Sequence, residues 1–189
     1  MSNFLDNFYG TLFHPDRTFE GLKNDPPLFQ GFLLVIFVSM LASFINFQPP
    51  GGIFDFAFFS AGLFFSVITG ISSWLILAFF LEIIACIFKQ QGHTKVFLTL
   101  SAFSLIPWLF LAPTQLFKVW DLPGTLLGIF LGFAIWVWVI ILSIKAIMKA
   151  YDASFGRVLI ILLTPLIGSS ITTLWMIYFF STLIRILSN

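Results

Sequence analysis

Apolar residues run almost unbroken over residues 28–47, 53–88, 96–112, 124–150 and 157–187, with polar, glycine-rich or proline-rich stretches between them. A helix rises about 1.5 Å per residue and the hydrocarbon core of a bilayer is about 30 Å thick, so about 20 such residues make one crossing. Alternation of polar and apolar positions at the period of a strand is absent, so the runs predict helices and not barrel strands. Residues 53–88 decide the count of spans. Their only charges are Asp55 and Glu82. As one helix the run would reach roughly 54 Å, too long for one plain crossing and short for two. We divide it into a short outer segment, 53–60, and a second span of about 62–88. The predicted spans are then about 28–47, 62–88, 96–112, 124–150 and 157–187. Pro107 is expected to kink the third, and the fifth is long enough to tilt or to break near Pro165 and Gly168.

The N-terminal residues have a different pattern. Phe4, Leu5, Phe8, Tyr9, Leu12 and Phe13 recur at helical spacing, with Asn3, Asp6, Asn7 and Thr11 between them. That predicts an amphipathic helix lying in the membrane interface. A second short helix follows, with Pro15 in its first turn, Asp16 and Glu20 near its N-terminus, and Phe19 and Leu22 on one face. Pro26 and Pro27 end it. The sequence therefore divides into interfacial amphipathic helices over 1–27 and a five-helix transmembrane domain over 28–189. The expected fold class is all-α, a polytopic bundle. The first sixteen residues hold no Lys or Arg, so no signal peptide is read and the first span is expected to remain as an anchor.

Composition supports lipid as the solvent. Of the 189 residues 59% are hydrophobic and 9% charged, against about 25% charged in a soluble domain. A soluble fold could not hide so much apolar surface. A net charge of +1 argues against nucleic acid as a partner, which requires a concentrated basic surface. The single cysteine, Cys86, permits no intrachain disulfide and reads as a packing residue.

Basic residues orient the spans. With five spans and a cytoplasmic N-terminus, Arg17, Lys23, Lys89, Lys95, Lys145, Lys149 and Arg157 are inside, and Lys118 and Arg185 outside. Cutting residues 53–88 into two spans would instead leave Arg17, Lys23, Lys118 and Arg185 inside and the other five outside. Only the first division follows the positive-inside rule. The expected location is the bacterial cytoplasmic membrane, with the C-terminus outside.

Several phrases, taken in order, resemble the YIP family of Ypt/Rab-interacting membrane proteins and its bacterial relatives. They are His14-Pro15-Asp16-Arg17-Thr18-Phe19 with Leu22, the double proline before the first span, Gly92 before the third, Ser104-Leu105-Ile106-Pro107 within it, Tyr151-Asp152-Ala153-Ser154-Phe155-Gly156-Arg157, and Pro165. The resemblance implies a polytopic helical protein with a cytoplasmic N-terminus. Eukaryotic members bind prenylated Rab GTPases. This chain resembles the shorter bacterial branch, and the Rab-binding role is not carried over to it.

The remaining constellations are few. Gly124, Gly128 and Gly132 form a small-residue stripe that would let another helix approach closely, within the chain or in a second copy. Ser66, Gly70 and Ser73 make a similar stripe, and the two stripes are candidate partners. Glu82 is a carboxylate inside hydrocarbon, which calls for a partner or a cavity. Lys145 lies at similar depth in the fourth span, so the two are expected to form a packing clamp or, alternatively, to line the polar path of a small transporter. His14 and His93 lack ligand-spaced neighbours, and HExxH and GxSxG are absent, so no metal, cofactor or catalytic residue is assigned. The sequence predicts a non-enzymatic protein acting by association with lipid and with other membrane proteins, a homodimer among them.

Overall fold

A computed structural model describes residues 3–46, 56–87 and 94–187. The chain is an all-α polytopic membrane protein. Its α-helices are α1 (Phe4–Phe13), α2 (Pro15–Asn24), α3 (Leu28–Asn46), α4 (Phe56–Ile87), α5 (Thr94–Ser104), α6 (Leu111–Thr114), α7 (Asp121–Ala150) and α8 (Phe155–Leu187). Two 3-10 segments, Ile106–Phe110 and Gln115–Trp120, flank α6. Four stretches are long and apolar enough to cross a bilayer: Leu28–Ile45, Phe56–Cys86, Thr94–Phe117 and Leu122–Ala150, with a shorter apolar helix, Phe155–Thr164, among the described residues.

The expected division of the long apolar run is corrected. α4 is continuous from Phe56 through 32 residues, so no separate outer segment ends at residue 60. Residues 53–55 lie outside the described set. Nothing between Phe56 and Ile87 interrupts a helix: there is no proline, and Ser60, Thr69 and Ser73 bond their hydroxyls to carbonyls of their own helix, as Thr69 does with that of Phe65.

Pro107 ends the helix that it was expected to kink. α5 stops at Ser104, and the chain continues in i→i+3 bonds, Leu105 N–H to the Ala102 carbonyl at 3.1 Å and Trp108 N–H to the Leu105 carbonyl at 2.9 Å. Proline disfavours the α conformation in the residue before it and has no amide to donate, so the ladder tightens into 3-10 turns. The stretch 113–123, between the third and fourth predicted spans, is helical too, leading through α6 into α7. α8 passes through Pro165 without a break. Close by, the Thr164 hydroxyl bonds to the Ile160 carbonyl one turn back, at 2.7 Å. Such side-chain bonds are how membrane helices tolerate proline.

α5 is the central element, packed by α3 on one side and α7 on the other, with α1, α2 and α4 also against it. Its Leu100, Ala102 and Phe103 are fully buried. The main core gathers at one end of the bundle. It joins Phe19 and Leu22 of α2, Leu81 and Ala85 of α4, Phe97 of α5, Ala146 and Ala150 of α7, and Val158 and Ile161 of α8.

α1 has the expected amphipathic pattern, set in a particular way. Its polar Asn7 and Thr11 are buried against the protein. Asn7 donates to Gln30 of α3 at 3.4 Å, and the Thr11 hydroxyl bonds to the Asn7 carbonyl. Leu5, Tyr9 and Phe13 form the outward row and are 74%, 60% and 59% exposed.

Candidate functional site

α2 is built by short-range rules. Pro15 opens it, Asp16 occupies its first turn and Lys23 its last. Phe19 and Leu22, 0% and 2% exposed, bury its apolar face. A second edge carries Asp16, Glu20 and Lys23 at positions i, i+4 and i+7, which lie above one another on a helix. The end of α7 and the turn beyond it carry Lys145, Lys149 and Asp152 at the same spacing with the opposite signs.

The two edges meet. Lys145 Nζ lies 2.6 Å from Asp16 Oδ2, Lys149 Nζ lies 3.0 Å from Glu20 Oε2, and Lys23 Nζ lies 2.6 Å from Asp152 Oδ1. Each pair spans 129 residues of sequence. A constant separation means that α2 and α7 run side by side in the same direction; antiparallel helices would give a constant sum instead. Burying Phe19 and Leu22 is worth about 1.5–3 kcal/mol each. An exposed ion pair is worth about 0–1 kcal/mol, and all three acids here are mostly exposed. Packing therefore holds α2 in place, and the ladder sets its register. A slip of one turn either way brings Glu20 toward Asp152 or Lys23 toward Lys149, like against like.

The corner after α7 serves both sides. Asp152 has φ 47°, in the left-handed region where Asp is one of the few tolerated residues. The Ala153 N–H bonds to the Met148 carbonyl at 3.1 Å, the long bond of a Schellman helix end. This reversal points Asp152 outward to Lys23 and Tyr151 inward. Tyr151 is 2% exposed, its ring centroid lies 5.6 Å from that of Phe97, and its hydroxyl donates to Glu82 Oε2 at 2.9 Å. Burial, and then the neighbouring Glu82 carboxylate, hold the Tyr151 phenol well above its usual value, so it stays a donor.

The structure corrects the expected pairing of Glu82 with Lys145. Lys145 is engaged with Asp16, and Glu82 with Tyr151. Similar depth was not enough, because α4 packs chiefly on α3, whereas α7 packs on α5 and on the 3-10 segment Gln115–Trp120. Ala146, Ile147 and Ala150 turn toward the core and direct Lys145 and Lys149 to α2. The two small-residue stripes are not partners of each other either. A Cβ on Gly128 would lie 3.2 Å from the Thr114 carbonyl oxygen, and one on Gly132 would lie 3.7 Å from Leu111, so this face of α7 receives α6 and its neighbouring 3-10 turns. Gly124 is buried on the same helix. A Cβ on Gly70 would collide with Ser39 of α3, whose carbonyl accepts from the Ser66 hydroxyl at 2.8 Å. Pro107 is buried beside Ile106, at the end of the central helix. Of Pro165 only its place within α8 is described. His14 precedes α2 and is exposed; His93 lies outside the described residues.

The ladder itself was legible in principle. Two i, i+4, i+7 sets with complementary signs stand at 16, 20, 23 and at 145, 149, 152, and sequence reasoning did not compare them.

Residues 9–177 match the Yip1 domain. The chain belongs to the Yip1 domain family. No curated protein and no solved structure matches it. In this Yip1-domain protein, two of the phrases that carried the resemblance are the two halves of one junction. The first supplies Asp16 and Phe19, and the second supplies Tyr151 and Asp152.

Proposed function

We propose that this Yip1-domain protein is a non-enzymatic membrane protein that acts by association, with α1 as its contact element for lipid and for other membrane proteins. The observation that carries the reading is the outward row of Leu5, Tyr9 and Phe13 on a helix whose Asn7 and Thr11 are turned into the protein, with Asp6 the one polar residue of the helix left exposed. A solvent-facing helix would be arranged the other way round. An apolar row beside the membrane-crossing helices belongs at the bilayer surface, where it meets acyl chains and the flanks of neighbouring proteins. α1 packs on α2, and α2 is held in register on α7, so the row is presented on a fixed platform.

The same reading has five crossings, α3, α4, α5 with its 3-10 extension, α7 and α8, with the N-terminus in the cytoplasm. It is supported by the gathering of Lys23, Lys145 and Lys149 at one end of the bundle, beside the start of α8.

A photo-crosslinking residue in place of Tyr9 tests the contact element in native membranes. The reading expects adducts to lipid or to discrete membrane proteins, lost when Leu5 and Phe13 are changed to Ser. A Tyr9 position that forms no adduct, in a protein that is folded and inserted, would contradict it.

A further inference from the structure

α1 leaves a groove of about 830 Å³ between its inner flank and α3. Phe4 and Phe8 form one wall, and Phe29, Leu33 and Phe37 the other. Phe4 also ties α1 to the central helix here, its ring centroid 6.4 Å from that of Phe103. Phe29, Leu33 and Phe37 stand on the exposed side of α3, so this wall faces the bilayer. The groove runs down α3 from Phe29 to Met40, and Leu109 adjoins it. From 29 to 40 is eleven residues of helix, about 16 Å. One leaflet's share of the hydrocarbon core is about 15 Å. The groove therefore has the length of the acyl chains of one leaflet.

Among the described residues that line it, Gln30 alone has a polar side chain. Gln30 lies at the shallow end, beside the start of α3, and accepts from the Asn7 amide through Oε1 at 3.4 Å. Its own amide nitrogen carries two N–H groups, and neither is given to a described residue. Below Gln30 the walls are apolar throughout, so water has no partners there and a charge has no counter-charge. Membrane helices approach one another through small residues. No glycine, alanine or serine lines this groove, so a neighbouring helix would rest on the phenylalanine rims and leave it unfilled. A flexible hydrocarbon chain fills it, and Met40 is an adaptable side chain at the deep end. The spare N–H groups of Gln30 then stand at the interface, where acyl chains join their glycerol.

We propose that the groove seats one acyl chain of a bilayer phospholipid, with the Gln30 amide donating to its ester carbonyl. The proposal deepens the reading of α1 as a lipid contact and rests on it, but it uses a different flank of the helix. The row of Leu5, Tyr9 and Phe13 meets the surrounding bilayer, whereas Phe4 and Phe8 hold a single lipid in place against α3.

Native mass spectrometry of the full-length protein in detergent micelles, titrated with palmitoyl-oleoyl phosphatidylethanolamine, tests the proposal. The ester lipid should bind about fivefold more tightly than its ether-linked analogue, which lacks the carbonyls, the worth of one hydrogen bond. Gln30→Leu should bind the two alike, at the level of the ether lipid. Leu33→Trp, at a half-exposed position, fills the groove and should weaken binding of both by at least about tenfold. Equal affinity of the native protein for the ester and ether lipids would overturn the proposal, and that comparison needs no variant to fold. Undiminished binding by Leu33→Trp would overturn it too. If binding is instead lost in Tyr9→Ser and kept in Leu33→Trp, the lipid sits on the outward row, which overturns the groove and leaves the contact reading standing. The contact reading itself falls only if cross-linking from position 9 fails in native membranes.

Discussion

Lys23 and Asp152 form an ion pair whose polarity is the reverse of the two beside it, Asp16 with Lys145 and Glu20 with Lys149. Three pairs of one polarity would tolerate a slip by a turn, since a base would still find an acid. The reversed rung removes that freedom. It joins the first polar helix of the chain to a turn 129 residues later.

Charge exchange should follow the rungs. Glu20→Lys faces Lys149, and Lys149→Glu faces Glu20, so each single change is expected to lower stability by about 1 kcal/mol. The double exchange restores opposite charges and should recover most of the loss. Raising the salt concentration should shrink all three differences, because exposed charges are screened. Thermal melts of the four proteins in detergent, at two salt concentrations, check this. Losses that simply add in the double variant would show that the rung is not formed.

Glu82 should be coupled to Tyr151 and not to Lys145. Tyr151→Phe removes the donor and leaves a half-buried carboxyl group without it, an expected loss of about 1–3 kcal/mol. Combining it with Glu82→Leu removes the acceptor as well and should return much of that loss. Glu82→Leu with Lys145→Ala should give additive effects. A double-mutant cycle on each pair, read by melting temperature, distinguishes the two.

Tyr151 also sets a pH limit. Its phenol is raised in the folded protein, so on the alkaline side the unfolded chain loses this proton while the folded chain keeps it. The folded state then binds more protons, and stability must fall as pH rises. The contribution is fully present below about pH 10, the ordinary tyrosine value, and above it should be lost at about 1.4 kcal/mol per pH unit. The difference between the native protein and Tyr151→Phe, followed in melts from pH 8 upward, isolates this term. A difference that stays constant above pH 10 would show that the phenol titrates normally.

The long apolar runs were legible in the sequence because bilayer thickness sets a length, and α2 was legible because capping and spacing are local. What followed Pro107 was not. Whether a proline kinks a helix or ends it depends on what packs beyond it, and here Gly128 and Gly132 leave room for 3-10 turns against α7. The partner of Glu82 was hidden for a similar reason. Depth in the membrane follows from counting residues, but the direction in which Lys145 points is fixed by the burial of Ala146 and Ile147 beside it. Tyr151 sits on a turn, where periodicity gives no direction at all.

The glycine face of α7 should tolerate little. A Cβ on Gly128 is already tight at 3.2 Å from the Thr114 carbonyl. Gly128→Leu must displace α6 and its flanking turns, an expected loss of about 1–3 kcal/mol from overpacking. At Gly62 a Cβ would meet nothing within 4 Å, so Gly62→Ala should be accepted without loss. Equal melting temperatures for Gly128→Leu and the native protein would place that face against lipid.

The most direct test of the junction is its register, read by disulfide formation in native membranes from a Cys86→Ser background. Glu20→Cys with Lys149→Cys, and Asp16→Cys with Lys145→Cys, occupy facing positions and should cross-link readily under mild oxidation. Asp16→Cys with Lys149→Cys is displaced by one turn, about 5.4–6 Å, and should not. Cross-linking of the displaced pair as fast as the facing pairs, or of neither, would contradict an α2 locked in parallel register on α7.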